Sequence, residues 1–259
     1  MASFTGDSLK NVYKDILHTS NSNTGISTTI KQITCGDGDT TSLYLSNQNL
    51  KVQPSADSTT NTVIYDRHGN ALLTVDSSND LVKAGIGQHT LNTNYVHFGK
   101  NHTDTTMSAN THYALPFGEV AYDAGYVTIG TGTNPDTSLT QDAGHLFTGK
   151  FWFVCDNITI DRVVWFSGAD QTTGDTTRAH LMSYDIDTGN GSTGGDLSNG
   201  TVLADGADIT NAGSEQLYYQ QMTIQSANVD AGKAILFAFR SDSVNSDYTV
   251  QAIIKYHLR

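Results

Sequence analysis

The segment formed by residues 248–258 places the strongest constraint on the fold. Its apolar and polar side chains alternate, with Ile253 as the one exception, and alternate residues of a β-strand point to opposite faces of a sheet. The segment therefore predicts a long strand with one buried and one solvated face. Because a terminal strand frays unless it is paired, we expect it to close a β-sandwich. The residues on its predicted buried face are Tyr248, Val250, Ala252, Ile254, Tyr256 and Leu258.

Other segments in the second half of the chain predict partner strands. Ile235, Phe237 and Phe239 share one face of such a strand, and Asp185 to Gly200 predicts the largest loop. Eight short strands over about 150 residues are typical of a double-sheet jelly roll. We therefore predict an all-β protein in which residues 101–259 form an antiparallel β-sandwich of the jelly-roll type. The predicted strands span residues 113–120, 126–129, 150–155, 158–166, 178–186, 217–224, 234–240 and 247–258.

One helix is predicted, over residues 7–17. Apolar residues recur there at i, i+3, i+4, i+7 and i+8, and Asp7 or Ser8 would cap the first turn. A helix of this length is marginal alone, so its apolar face must dock on its own chain or on a partner. We assign residues 1–41 to an attachment arm. The residues predicted to attach the arm to its partner are Leu9, Val12, Tyr13, Ile16 and Leu17.

Residues 42–100 have a different character, because their apolar residues occur in pairs separated by turn-forming clusters such as residues 67–70. Strands this short cannot bury a core of their own. Either the segment lies on the sandwich as an extended arm, or identical copies wrap around an axis and pool their apolar faces. We predict the second arrangement, a short-strand trimerisation stem. Its predicted interface residues are Leu43, Leu45, Leu50, Val52, Ile64, Leu73 and Val75.

Composition and charge argue against several classes of partner. A formal net charge of −12 disfavours a nucleic-acid groove, which needs Lys and Arg to replace counterions. The longest apolar stretch, Ala234 to Phe239, is far shorter than the roughly 20 residues of a membrane helix. The first residues lack the basic start and apolar core of a signal peptide, so none is predicted. Cys35 and Cys155 are predicted to be reduced, and the apolar run before Cys155 predicts a core position for that residue.

Two motifs resemble known functional sites, but the residues around them do not match those sites. Gly6-Asp7-Ser8-Leu9 matches the nucleophile block of GDSL-type hydrolases, with a matching Asp142-x-x-His145, but no apolar strand of a parallel sheet precedes the serine. Residues 185–196 resemble a calcium loop without its glycine and bidentate glutamate. They predict a polar loop, with adventitious Ca²⁺ binding as the alternative. The nine histidines show no metal-ligand spacing and are mostly expected in solvent. We predict no cofactor, no structural metal and no enzymatic activity.

Two parts of the chain resemble accessory proteins of tailed-phage virions, of the kind common in marine and cyanobacterial phages. Residues 13–26 and 37–46 are similar to the N-terminal segment of head-fibre and tail-fibre-like proteins. Residues 149–151, 231–236 and the closing strand are similar to their jelly-roll tip. The resemblance implies a homotrimeric, non-enzymatic protein of the virion surface, assembled in the host bacterial cytoplasm. Its N-terminal arm would bind the major capsid protein or another virion protein.

The short stem bears on where such a protein would sit. At about 3.3 Å per residue or less, a stem folded back by many turns spans little distance, so we favour a capsid decoration or short head fibre. The alternative is a tail fibre or receptor-binding module whose jelly roll recognises a host-surface glycan. In that case Tyr218, Tyr219 and Trp165 would form a sugar-stacking shelf, although aromatic residues in strands belong more often to the core.

Overall fold

The computed structural model describes residues 16–19, 25–91, 93–100, 107–118, 127–140, 149–169, 173–187, 196–213, 216–244 and 248–259. These residues form strands and connecting loops, and every strand pairing among them is antiparallel. The predicted all-β class is confirmed. Within these ranges the chain has no helix, and so none long and apolar enough to cross a membrane.

The chain divides into two compact units, residues 1–91 and residues 92–259. The first unit contains two four-stranded sheets in which neighbouring strands follow one another along the chain. The first sheet consists of β1 (His18–Thr19), β2 (Lys31–Thr34), β3 (Thr40–Leu45) and β4 (Leu50–Val52). The second consists of β5 (Thr62–Tyr65), β6 (Ala71–Asp76), β7 (Leu81–Ala84) and β8 (His89–Thr90).

The turn between β5 and β6 illustrates how local sequence produces these hairpins. One carboxylate oxygen of Asp66 accepts hydrogen bonds from the backbone N–H groups of His68 and Asn70, both at 2.8 Å. Gly69 follows with a φ of 85°, which a residue with a Cβ adopts only with strain. The cluster of turn-forming residues thus reverses the chain by itself.

The second unit is built from two sheets of unequal size. Its strands are β9 (Thr93–Lys100), β10 (Tyr113–Ala114), β11 (Val127–Thr128), β12 (Phe151–Phe153), β13 (Ile158–Ala169), β14 (Thr176–Ile186), β15 (Leu197–Asp205), β16 (Ile209–Thr210), β17 (Gln216–Gln221), β18 (Thr223–Ile224), β19 (Asn228–Val229), β20 (Ala234–Ser241) and β21 (Tyr248–Leu258). The β21 sheet has the order β17-β13-β21-β9, with β19 also on β13. The β20 sheet has the order β11-β10-β20-β14-β15-β18, with β12 on β20 and β16 on β14.

The two sheets pack face to face through one large core. Trp165 of β13 and Phe239 of β20 are fully buried, with ring centroids 6.0 Å apart. The indole N–H of Trp165 donates to the side-chain carbonyl of Gln220 at 3.1 Å, so its one polar group is satisfied. Burial of a large apolar side chain contributes roughly 1.5–3 kcal/mol. The predicted alternation of β21 is confirmed from Tyr248 to Ile254, because Tyr248, Val250, Ala252 and Ile254 are buried in this core. Toward the end of the strand Tyr256 is half-buried, and Leu258, which was predicted on the buried face, is exposed.

Strand β20 is buried on both faces, which explains its unbroken apolar run. Ile235, Phe237 and Phe239 face the core between the sheets. Leu236 and its neighbours on the opposite face pack in a second, smaller core with Tyr184. Tyr184 donates from its hydroxyl to the backbone carbonyl of Asp136 at 2.9 Å. The segment around residues 127–140 therefore covers the outer side of the β20 sheet.

The structure divides the chain differently from the three predicted segments. Residues 93–100 were assigned to the stem, but as β9 they pair with β21 over eight residues of the sandwich. The boundary between an arm at 1–41 and a stem at 42–100 runs through β3, which pairs with β2 on one side and β4 on the other. Long-range pairing decides such boundaries, and composition does not report it. We keep the word stem for the two four-stranded sheets of the first unit.

The predicted N-terminal helix mostly lies outside the described residues. Of its span, only Ile16 and Leu17 are described, and neither belongs to a helix or a strand. Both cysteines are free, as predicted. Cys155 is exposed, although its apolar surroundings in sequence predicted a core position. The reason is that it follows the end of β12, a three-residue strand at the edge of its sheet.

Candidate functional site

Four of the predicted stem residues form one apolar patch on β3 and β4. Leu43 lies directly opposite Val52, and Leu45 lies directly opposite Leu50. Directly opposed residues share a face of the sheet, as do residues two apart in a strand. The four side chains thus face the same side, and we call them the β3–β4 patch. None of them is buried: Leu50 and Val52 are exposed, and Leu43 and Leu45 are half-buried.

The other three predicted residues lie together on the second stem sheet. Ile64 is opposite Leu73, and Val75 of the same strand is opposite Val82 of β7. We call these four residues the β6 patch. Ile64 and Val82 are exposed, and Leu73 and Val75 are half-buried. Val82 was absent from the predicted interface. It lies two residues from Ala84, which is opposite Leu73, so a correct prediction of the register between β6 and β7 would have placed it on this face.

The opposite face of the second stem sheet is mixed, and Thr74 and Asp76 are buried on it. Its residues are Leu72, Thr74 and Asp76 of β6 with Val63, Leu81 and Lys83 of the neighbouring strands. The carboxylate of Asp76 is buried and accepts hydrogen bonds from the Lys83 ammonium at 2.8 Å and from the Asn79 side chain at 3.0 Å. The bond from Lys83 is the largest cause that lowers the pKa of Asp76 below its usual 3.8. Polar contacts of Asp76 thus order this face, while the residues of the β6 patch on the other face are exposed or half-buried.

Across the described part of residues 1–91, Ile33 is the one large apolar side chain that is buried. The structure thus gathers the seven predicted interface residues into two patches without giving either patch a core. Of the residues predicted to attach the arm, Leu9, Val12 and Tyr13 lie outside the described residues. Leu17 is exposed and Ile16 is half-buried.

The sandwich contains a buried histidine pair that the sequence did not predict. His112, which precedes β10, and His180 of β14 are fully buried, with their rings edge to face and centroids 5.0 Å apart. No ring nitrogen of either residue makes a hydrogen bond. Nε2 of His180 lies 3.2 Å from Oδ1 of Asp205 without hydrogen-bond geometry. That carboxylate is already held by the guanidinium of Arg178, at 2.7 and 3.1 Å.

This environment keeps both imidazoles neutral. Burial is the largest cause and lowers the pKa of each ring from 6.5 to about 4. For His112 the neighbouring His180 and the Arg240 guanidinium add to the effect. For His180 the carboxylate of Asp205 opposes it without overcoming it. Two neutral rings with no solvent contact make the sandwich sensitive to acid. A proton on His112 would be buried without a partner, and one on His180 would face only the Asp205 carboxylate, which Arg178 already holds.

The remaining predicted sites are not assembled by the structure. In the described residues no group of three or more His, Cys, Asp or Glu side chains is placed to hold a metal ion. Asp185, at the start of the calcium-like loop, accepts hydrogen bonds from Lys233 and Asn199, and residues 188–195 lie outside the described ranges. So do Ser8, Asp142 and His145 of the hydrolase-like motif.

The aromatic residues proposed as a sugar-stacking shelf point in different directions. Trp165 is fully buried in the core. Tyr219 lies on the outer, solvent-facing side of the β21 sheet, beside Phe166 with ring centroids 5.3 Å apart. Tyr218, its neighbour in β17, is half-buried, and its hydroxyl contacts the Asn211 side chain at 3.1 Å. A shelf of three rings is therefore not formed.

Comparison with models of known protein families finds no match to this chain. Comparison with curated protein sequences likewise finds no matching protein. The functional conclusion therefore depends on the two uncovered patches of the stem, on the geometry of the sandwich and on the resemblance carried by the sequence.

Proposed function

We propose that this protein is a non-enzymatic structural protein of a tailed-phage virion, a trimeric capsid decoration or short head fibre displayed on the particle surface. The single observation that carries the oligomeric part is the exposure of the β3–β4 patch and the β6 patch. The virion part is supported by the resemblance of the sequence to virion accessory proteins. The sandwich would face solvent, and the arm would bind a capsid protein or another virion protein.

The exposed patches favour association of identical copies over a stem that stays monomeric. A two-layer arrangement is the usual way for a sheet to bury its apolar face, and the described stem residues have one large buried apolar side chain between them. Threefold association would bring equivalent patches together around one axis and supply the second layer. Each large side chain covered in this way would contribute roughly 1.5–3 kcal/mol.

The strand pairing of the sandwich supports the jelly-roll type. Among the long-range pairings, β9 pairs with β21, β12 pairs with β20, β13 pairs with β17, and β14 pairs with β15. The earliest strand thus pairs with the last, and the successive pairs are nested inside one another. Rolling one long antiparallel hairpin into two sheets produces this nesting, which is the plan of a jelly roll. It also matches the fold that the virion resemblance implies for this part of the chain.

The alternative is a tail fibre or receptor-binding module whose sandwich binds a host-surface glycan. It has less support, because Trp165 is buried and Tyr218 is directed toward Asn211, away from the position of Tyr219. Immuno-electron microscopy of virions that carry the protein separates the two placements. We expect label over the head, and label found only at the tail would favour the alternative.

The trimer is tested by sedimentation equilibrium of the full chain. The wild-type protein should have three times the chain mass of 27.9 kDa. Replacement of Leu50 and Ile64 by Asp places a charge in each patch, and the doubly substituted protein should sediment at the mass of one chain. These two side chains are exposed, so the substitutions should leave the fold of each chain intact.

The matched control is Leu72→Asp. Leu72 is 44% exposed, against 53% for Ile64, and lies on the opposite face of the same sheet. The Leu72 variant should remain trimeric. A wild-type protein that stays monomeric at high concentration would contradict the proposal, and a doubly substituted protein that stays trimeric would place the interface elsewhere.

A further inference from the structure

The outer face of the β21 sheet carries a second apolar surface. Its strand residues point away from the core. One of them is Ile253, the apolar exception on the polar face of β21, and it lies directly opposite Val164. Phe166 lies opposite Tyr219 of β17. We call the set the outer face, and its apolar residues are Tyr95, Val164, Phe166, Leu217, Tyr219 and Ile253. Tyr95, Leu217 and Tyr219 are exposed, and the other three are half-buried.

This surface is flat toward the end of the sheet where β21 begins, and it carries one hydrogen-bonded pair of side chains. Gly168 lies opposite Leu217, and Gly99 of β9 lies opposite Gln251. These positions carry no side chain, so another surface can approach the backbone closely. The guanidinium of Arg162 donates to the hydroxyl of Tyr219 at 2.8 Å, which fixes both groups before any partner arrives. A contact here would therefore lose less side-chain freedom than one between mobile chains.

The charge of the outer face is opposite to that of the chain. The protein has 26 acidic and 14 basic residues, yet Asp161 is the only acidic residue in β9, β13, β17 and β21. Its carboxylate lies 2.8 Å from Nδ1 of His257. Arg162 and Lys255 lie directly opposite one another on the outer face. A chain of net charge −12 repels its own copies, and the repulsion is least at a surface without free carboxylates.

The apolar area is close to what an oligomer interface requires. Three exposed and three half-buried side chains present roughly 450 Å² of apolar surface, given that a large aromatic side chain covers about 150–250 Å². A standard interface buries about 800 Å² per partner, of which about 65% is apolar in homo-oligomers. The largest apolar patch of a monomeric protein is typically about 300–600 Å² and is often functional. The outer face therefore approaches the apolar area that one side of a homo-oligomer interface contributes.

We propose that the outer face is covered by a second copy of this chain, so that the oligomer has an interface on the sandwich in addition to the one on the stem. The inference deepens the proposed trimer and rests on it for the identity of the partner. In a cyclic trimer each contact joins two different surfaces. Arg162 and Lys255 therefore meet a carboxylate-bearing surface of the neighbouring copy, and the aromatic residues pack beneath them.

The test is sedimentation equilibrium of full-chain variants at two ends of the outer face. Leu217→Asp and Tyr95→Asp should each weaken self-association by at least about 10-fold, because each places a carboxylate in a desolvated apolar contact. Phe153→Asp is the control, since Phe153 is an exposed aromatic residue in a strand of the other sheet. It should associate as the wild type does. Equal thermal unfolding of the variants at a concentration where all are monomeric excludes a folding defect.

Charge reversal provides a second, independent measurement. Lys255→Glu should weaken self-association, and the loss should shrink as salt is raised, because salt screens the repulsion between carboxylates. A loss that does not change with salt would contradict the role of charge that the inference assigns to this face. Lys255 is half-buried and lies on a strand paired on both sides, so this variant retains the backbone pairing of the sheet.

The two interfaces can fail separately. If Leu217→Asp and Tyr95→Asp associate like the wild type while the stem variants dissociate, the outer-face inference is overturned and the stem interface stands. If only the outer-face variants dissociate, the stem proposal is overturned instead. A wild-type protein that is monomeric overturns both. Retained association together with loss of binding on a glycan array would assign the outer face to a carbohydrate and overturn the second-copy inference.

Discussion

The stem and the sandwich are made of the same kind of antiparallel hairpins, but only the sandwich has a core. In the sandwich, Trp165 and Phe239 belong to different sheets and bury each other. In the stem, directly opposed pairs such as Leu45 and Leu50 share one sheet, and no second layer covers them in the described part of the unit. Cross-strand pairing alone thus orders a sheet without burying it. Burial requires a second layer, which a chain supplies from itself or obtains from its copies.

The largest expected effect comes from one truncation made in both regions. Leu181 of β14 is 0% exposed and Leu50 of the stem is 66% exposed. Leu181→Ala should lower the free energy of unfolding of the sandwich by about 2–5 kcal/mol, from lost burial and the cavity left behind. Leu50→Ala should change unfolding of the monomer by less than about 0.5 kcal/mol.

Urea unfolding followed by tryptophan fluorescence measures the first effect, because Trp165 is in the sandwich core. The same Leu50 variant should nevertheless weaken trimer formation in sedimentation experiments. Equal losses of monomer stability from the two truncations would show that the stem has a core of its own, and the contrast between the regions would then be wrong.

The next largest effect is a difference between the two regions in how their stability depends on pH. His112 and His180 have a folded-state pKa of about 4 against 6.5 when unfolded, so the unfolded chain binds more protons between these values. Sandwich stability is therefore constant above about pH 6.5 and falls as the pH decreases toward 4. At pH 5 the loss should be about 2 kcal/mol per imidazole. Urea midpoints at pH 7 and pH 5 measure it.

The stem should respond to acid in a lower window. The pKa of Asp76 is below 3.8 in the folded state, so the stability that its ionised form contributes is present above 3.8 and is lost as the pH falls below that value. Hydrogen exchange at pH 5 should thus show weakened protection in the sandwich and unchanged protection around Asp76. A His112→Phe, His180→Leu double variant that keeps the wild-type pH dependence would contradict the assignment of the first window to the histidines.

The smallest effect concerns one tight turn in each region. Gly69 in the stem and Gly232 before β20 have φ values of 85° and 88°, and a Cβ at either position would meet no neighbouring atom. Replacement by Ala should therefore cost only the backbone strain, about 1 kcal/mol. Gly232→Ala should shift the unfolding of the sandwich and Gly69→Ala that of the stem. A shift of both regions by either variant would show that they unfold as one unit.

The sequence-based prediction succeeded where one strand carried its own signal. The alternation in residues 248–258 predicted β21 and its buried face, because one face of that strand lies on the core and the other does not. Ile253 broke the pattern, and in the structure it lies with Val164 on the outer face. An apolar residue on the polar face of β21 was therefore the sequence signal for a second apolar surface. Composition alone did not show that other apolar residues lie beside it.

Elsewhere the prediction was wrong because it did not include pairing between segments that are distant in sequence. Residues 93–100 were assigned to the stem, but their partner is β21, more than 140 residues away. Most histidines were expected in solvent, but His180 is buried against His112 because β14 pairs with β20 at the centre of the sheet. The signal for a buried histidine is the set of neighbours across the sheet, which local sequence does not contain.

Local sequence by itself determined the strands, their turns and the faces that need burial, because these depend on residues one to four positions apart. It identified Leu43, Leu45 and Val75 as side chains in need of cover. Only the tertiary structure decided which faces obtain that cover within one chain. The sandwich closes on itself because strands from both ends of the second unit meet in each sheet. In the described residues, the rest of the first unit does not cover the stem patches, and the rest of the second unit does not cover the outer face.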